Sequence, residues 1–141
     1  MRMRLIFVLM MALLAAQAQA DPAALAAVNA ERQANGRAPL VWDGKLERAA
    51  AAHAQDMAQK GYFSHTAPNG STMSDRIKQA RYQACFAAEN IAQGQRSLAA
   101  VMQSWMNSRG HRQNILNRKA RAVGLAQAPG NSWVMVLGAP C

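Results

Sequence analysis

Three histidines and one isolated carboxylate are the side chains in this sequence best suited to chemistry. His53, His65 and His111 are its only imidazoles. Glu89, in CFAAENIAQ, is the one acid between Arg76 and the C-terminus, a stretch with nine Lys and Arg residues. Its neighbours Phe86, Ala88 and Ile91 are apolar. A carboxylate carried inside by such company needs partners, because an unpaired buried charge is costly. A histidine is a natural partner, and each member of such a pair shifts the other's pKa in the opposite direction. The alternative is a structural acid that accepts backbone N–H bonds.

His65 follows Tyr62-Phe63-Ser64 and precedes a turn, where an imidazole can act as metal ligand, base or hydrogen-bond donor. The plainer reading is a loop histidine packed on aromatics. His111 stands between Arg109 and Arg112 in SRGHRQNIL, and structural and functional readings are balanced there. His53 shares an apolar helical stripe with Met57, as a satisfied buried histidine or as one lining a cavity. G-x-S-x-G, HExxH and a phosphate-cradling glycine loop are all absent. Any catalysis must come from residues gathered by the fold.

The first twenty residues stand apart from that fold. Arg2 and Arg4 form a positive start, Leu5 to Ala16 is almost wholly apolar, and Ala18-Gln19-Ala20 is a small-x-small cleavage pattern. The apolar run is shorter than the roughly 20 residues a membrane span needs. A secretory signal over residues 1–20 is expected, with an uncleaved anchor as the alternative. No later stretch is long and apolar enough to span.

Residues 21–141 suffice for one domain with a core. Without Arg2 and Arg4 the formal charge falls from +9 to +7. The basic residues are spread along the chain, and no aromatics interleave with them as a single-strand binder requires. Anionic lipid head groups and cell-wall polymers fit such a charge, which indicates solubility and general anion affinity, and no specific nucleic acid is expected as a partner. Cys85 and Cys141 are an even pair in a chain bound for an oxidising compartment, which favours a disulfide over two free thiols.

Capping residues and periodicity outline the elements. Asp21-Pro22 starts a helix to about Ala34, which Asn35-Gly36 ends. Pro39 to Trp42 reads as a short extended link, and Asp43 caps a second helix that stops at Gly61. Ser71 or Thr72 caps a third, carrying Met73 and Ile77. An extended segment runs past Glu89 to Ala92. Ser97 starts a fourth helix with Leu98, Val101, Met102 and Trp105 on one face; Gly110 breaks it, and one further turn is expected from His111 to Leu116. Ala122 to Gln127 and Trp133 to Leu137 alternate like hairpin strands. Helices followed by a short sheet predict an α+β fold.

LVWDGKLERAAAAHAQDMA, GYFSHTAPNGSTMSDRI, AENIA, VMQSWMNSRGHRQNIL and AVGLAQ occur in the order and spacing of the bacterial CAP domain. In these motifs the chain resembles the SCP-like superfamily of cysteine-rich secretory, antigen 5 and pathogenesis-related proteins, over about Ala24 to Gly138. The resemblance implies a single-domain α–β–α sandwich, with a small antiparallel sheet between helices and a cleft faced by His65 and Glu89. In animal and plant members two histidines and two glutamates line that cleft and can hold a divalent metal. Here Ala88 replaces the usual glycine before the glutamate, and Ser108 stands where the second glutamate is expected. The second histidine has no match, since His111 belongs to a different motif.

The resemblance therefore implies His65 and Glu89 at the site, with His111 nearby and His53 and Ser108 behind. A divalent metal such as Zn or Mg would rest on His65 and His111. An exported, non-enzymatic binding module follows, for a lipid or sterol or a cell-envelope partner, in periplasmic or extracellular space and as a monomer. The alternative is a metal-assisted, protease-like hydrolase that uses Glu89 with His65 and His111.

Overall fold

The computed structural model describes residues 21 to 141. The expected signal segment, residues 1 to 20, lies outside the described residues. Every expected helix start is closed by a side chain. Asp21 accepts from the Ala24 N–H at the head of α1 (Pro22–Ala34). Asp43 accepts from the N–H groups of Lys45 and Leu46 at the head of α2 (Gly44–Lys60). Thr72 and Asp75 form a reciprocal capping box on α3 (Met73–Gln79), and Ser97 caps α4 (Leu98–Met106). Each cap satisfies an N–H that the helix cannot.

Two boundaries differ from expectation. α4 ends at Met106, before Gly110, and Gly110 is the second residue of a separate helix, α5 (Arg109–Ile115). Ser108 is the residue before that helix and makes no capping hydrogen bond through its side chain. Val41–Trp42, read as a link, is strand β1. It pairs in parallel with β3 (Ala122–Ala128), some eighty residues away, through the register Val41 to Ala122. β2 (Ala84–Gln93) and β4 (Ser132–Pro140) complete a four-stranded sheet in the order β1-β3-β4-β2. The β3–β4 and β4–β2 pairings are antiparallel.

Alternation along β4 builds two cores. Trp133, Met135 and Leu137 face Val28, Val101, Trp105 and Ile115 of α1, α4 and α5. Val134 and Val136 face Leu46, Ala50, Ala54, Met57 and Ile77 of α2 and α3. Successive side chains on a strand point to opposite faces, so a single strand feeds both layers. The result is helices, sheet, helices. On the second face α2 runs against the backbone of β3, and Gly124 permits it. A Cβ there would lie 2.1 Å from the Glu47 nitrogen, so no other residue fits. Among the described residues no helix is long and apolar enough to cross a membrane.

Cys85 and Cys141 are bonded, tying the start of β2 to the last residue across a sequence separation of 56. Closing a loop of that size removes unfolded-state entropy worth roughly 4 kcal/mol in the chain-entropy estimate.

Candidate functional site

Strand register places Glu89 and its neighbour on opposite faces. Glu89 pairs with Val136 and Asn90 with Met135. Glu89 therefore shares the face of Val136, towards α2 and α3, while Asn90 shares the face of Met135, towards α5. Both are buried.

Glu89 receives three hydrogen bonds. His65 Nδ1 donates to its Oε1 at 2.9 Å. Arg76 Nη2 donates to Oε1 at 3.1 Å and Oε2 at 2.9 Å. Sequence reasoning missed Arg76, although a signal was present. Met73, Arg76, Ile77 and Ala80 follow one helical stripe, and an arginine on such a stripe needs a buried acid or carbonyls. The guanidinium compensates the buried carboxylate's charge.

The backbone on both sides of the His65 ring is fastened as well. Arg76 Nη2 donates to the His65 carbonyl at 2.9 Å. His53 Nε2 lies 2.8 Å from the Ser64 carbonyl, which can only accept, so Nε2 carries the proton. Burial, with a smaller contribution from Arg76, lowers the His53 pKa against the pull of Glu89. The ring is accordingly neutral, with Nδ1 unprotonated and without a partner. His53 Nε2 stands 3.9 Å from Glu89 Oε1, too far for a hydrogen bond, so its contact with the site runs through Ser64.

Despite these three anchors, the His65 side chain is 56% exposed. Phe63, two residues earlier, is 52% exposed and, among the described residues, is one of two large apolar side chains in the open, with Val41. Asp56 on α2 accepts from the Tyr62 hydroxyl and pairs with Lys60. Those bonds lower the Asp56 pKa, while burial and Asp56 push the Tyr62 hydroxyl up to about 12.

His111 is half-buried on α5, and burial, followed by the nearby His65, lowers its pKa. Its carbonyl accepts from the Asn90 amide at 3.1 Å, and Asn114 donates to the Asn90 oxygen at 2.8 Å. These two asparagines were not anticipated. They dock α5 on β2 directly behind the Glu89 position. Ser108 is half-buried and joins none of these bonds.

A divalent metal does not fit these residues. A cation on Glu89 would have to displace the Arg76 guanidinium from both oxygens, and His65 Nδ1 is already committed to the same carboxylate. Among the described residues no three His, Cys, Asp or Glu side chains stand together as a ligand set. Structural zinc takes four ligands and catalytic zinc about three. His65 and His111 alone fall short of either.

Comparison with known proteins identifies the family and the fold. The profile of the cysteine-rich secretory protein family matches residues 25–137. The uncharacterised protein YkwD of Bacillus subtilis is 42% identical over 106 residues, which cover 74% of this chain and 41% of YkwD. The uncharacterised membrane protein YlbC of the same organism is 33% identical over 97 residues, 69% of this chain and 28% of YlbC. The chain thus matches less than half the length of either relative. An extracellular SCP-domain protein from Bacillus anthracis superposes with a TM-score of 0.79 at 29% identity, covering 82% of this chain and 39% of that one. An outer surface protein from Borrelia burgdorferi has a TM-score of 0.77 at 21% identity, covering 83% of this chain and 90% of that one, and shares the fold.

Proposed function

This chain belongs to the cysteine-rich secretory protein family, and on that footing we propose that it is an exported, non-enzymatic binding module. In this reading residues 1–20 are a signal removed on export, and residues 21–141 are the module. His65 and Phe63 form its recognition surface, and the partner is a component of the cell envelope. The extracellular and outer-surface settings in which the Bacillus anthracis and Borrelia burgdorferi proteins are described support the location.

One observation carries the reading: His65 is fastened through Glu89, Arg76 and the neighbouring Ser64 carbonyl, yet is more than half exposed. Rigidity at an exposed polar group lowers the entropy lost on binding. His65 Nδ1 faces Glu89, which leaves Nε2 for a partner. The exposed Phe63 adds apolar area beside it, the combination of aromatic anchor and polar contact that interface centres favour.

Catalysis by Glu89 fares worse. A general base needs a free oxygen within reach of a substrate proton, and both oxygens of Glu89 already accept from Arg76. A sterol enclosed between α3 and β2 fares worse too. The groove beside Met73, Ile77, Tyr82 and Phe86 holds about 230 Å³, below the roughly 300–1,000 Å³ of small-molecule sites.

Co-sedimentation with washed bacterial envelopes tests the proposal. Wild type is expected in the pellet, with His65→Ala and Phe63→Ala left largely in the supernatant and all three equally folded by circular dichroism. Pelleting unaffected by either substitution would refute this recognition surface.

A further inference from the structure

α5 has a second face that the His65 site does not use. Arg109, Arg112, Gln113 and Leu116 follow one another at helical spacing and line a cleft of about 690 Å³. Arg37, Arg118 and Lys119 complete its charged wall, so five cationic side chains share one concavity without a carboxylate among its lining residues. Among the described residues the only ion pairs of Lys or Arg with a carboxylate are Lys60–Asp56 and Arg76–Glu89. None of the five is neutralised.

The cluster is held together by neutral groups. Arg112 Nη2 donates to Asn35 Oδ1 at 2.8 Å, and Arg37 Nη1 donates to the Asn35 carbonyl at 3.0 Å. Arg37 Nε also donates to the Leu116 carbonyl at 2.8 Å. One residue thus brings two guanidinium groups side by side, an arrangement that repels unless an anion joins it. Beneath them lies Arg32, 1% exposed, whose guanidinium meets only the carbonyls of Ala38, Ile115 and Asn117. Burial lowers the pKa of Arg32, and the proximity of Arg37 and Arg121 lowers it further. Arg109, Arg118 and Lys119 are exposed and make no side-chain hydrogen bond among the described residues, so they are free to close on a ligand.

We infer that this cleft binds phosphate oxyanions presented in series, as on a phosphate polymer or on clustered lipid headgroups. Guanidinium forks match phosphate oxygens in pairs, and Lys119 adds a point charge. Five cations across such a volume exceed what a single carboxylate neutralises. The site is separate from the His65 surface, since Asn114 and the His111 carbonyl join Asn90 elsewhere on α5.

Calorimetric titration of the purified protein with linear polyphosphate tests the inference. Wild type is expected to bind at about 50 mM salt and to weaken steeply by about 200 mM, as charge-driven binding does. The triple variant Arg109→Glu, Arg118→Glu, Lys119→Glu should bind at least about tenfold more weakly. A control triple, Lys45→Glu, Arg48→Glu, Lys78→Glu, makes the same change in net charge on other exposed positions and should lose less than about threefold. Equal losses in the two variants, or no binding by wild type at low salt, would overturn the site. Phosphatidylglycerol vesicles titrated in parallel assign the source. Capture abolished by the cleft triple identifies a headgroup, and polyphosphate binding without capture identifies a polymer.

Discussion

Among the described residues two arginines are buried, one on each side of the sheet, and their charges are met by opposite means. Arg76, on the α2–α3 side, meets the carboxylate of Glu89. Arg32, on the α1–α5 side, meets three carbonyls and no acid. The first arrangement cancels charge and spends it on orienting His65. The second leaves a positive charge in place beneath a cleft of further cations. Burial of a guanidinium therefore carries no single meaning: its partner decides whether the region nearby behaves as a neutral, ordered surface or as a field for anions.

Substitution of the two arginines breaks the comparison most sharply. Arg76→Met leaves Glu89 buried and unpaired, so chemical denaturation should show a loss of about 3–5 kcal/mol. Adding Glu89→Gln should restore part of it, because the stranded charge is then gone. Arg32→Met strands carbonyls in place of a charge and should lose less, about 1–3 kcal/mol. An Arg32 loss larger than that of Arg76 would mean that the two environments have been assigned the wrong way round.

A smaller effect is read by pH. The folded pKa of His53 lies below the ordinary histidine value of 6.5, chiefly through burial. Below that value the unfolded chain takes up a proton that the folded one resists, so stability is complete above it and is lost as pH falls. The denaturation midpoint should drop between pH 7.5 and pH 5. His53→Gln, whose amide can still donate to Ser64, should reduce the drop. His111 shifts in the same direction and leaves a residue of acid sensitivity. A His53→Gln profile identical to wild type would remove His53 from the account.

Local chemistry made the helices legible. Asp21, Asp43, Thr72 and Ser97 announce their starts because capping is a contact between near neighbours in sequence. The hairpin of β3 and β4 was visible for the same reason. The pairing of β1 with β3 was not, because a two-residue strand has no periodicity and its partner is far along the chain. Gly110 misled because a glycine at a helix start looks like one at a helix stop, and the break belongs to Asn107 and Ser108. At the site, the odd composition around Glu89 pointed to burial, and the motif order pointed to His65. Arg76 was hidden among many cations, since which of them meets Glu89 depends on how α3 lies against β2.

The oxygens of Glu89 are committed to Arg76 and His65, so the site presents an imidazole and does not coordinate a metal. Calorimetric titration of the purified protein with Zn²⁺, beside His65→Ala and Glu89→Gln, tests it most directly. Wild type is expected to show no saturable binding. One-site binding that both substitutions abolish would contradict it.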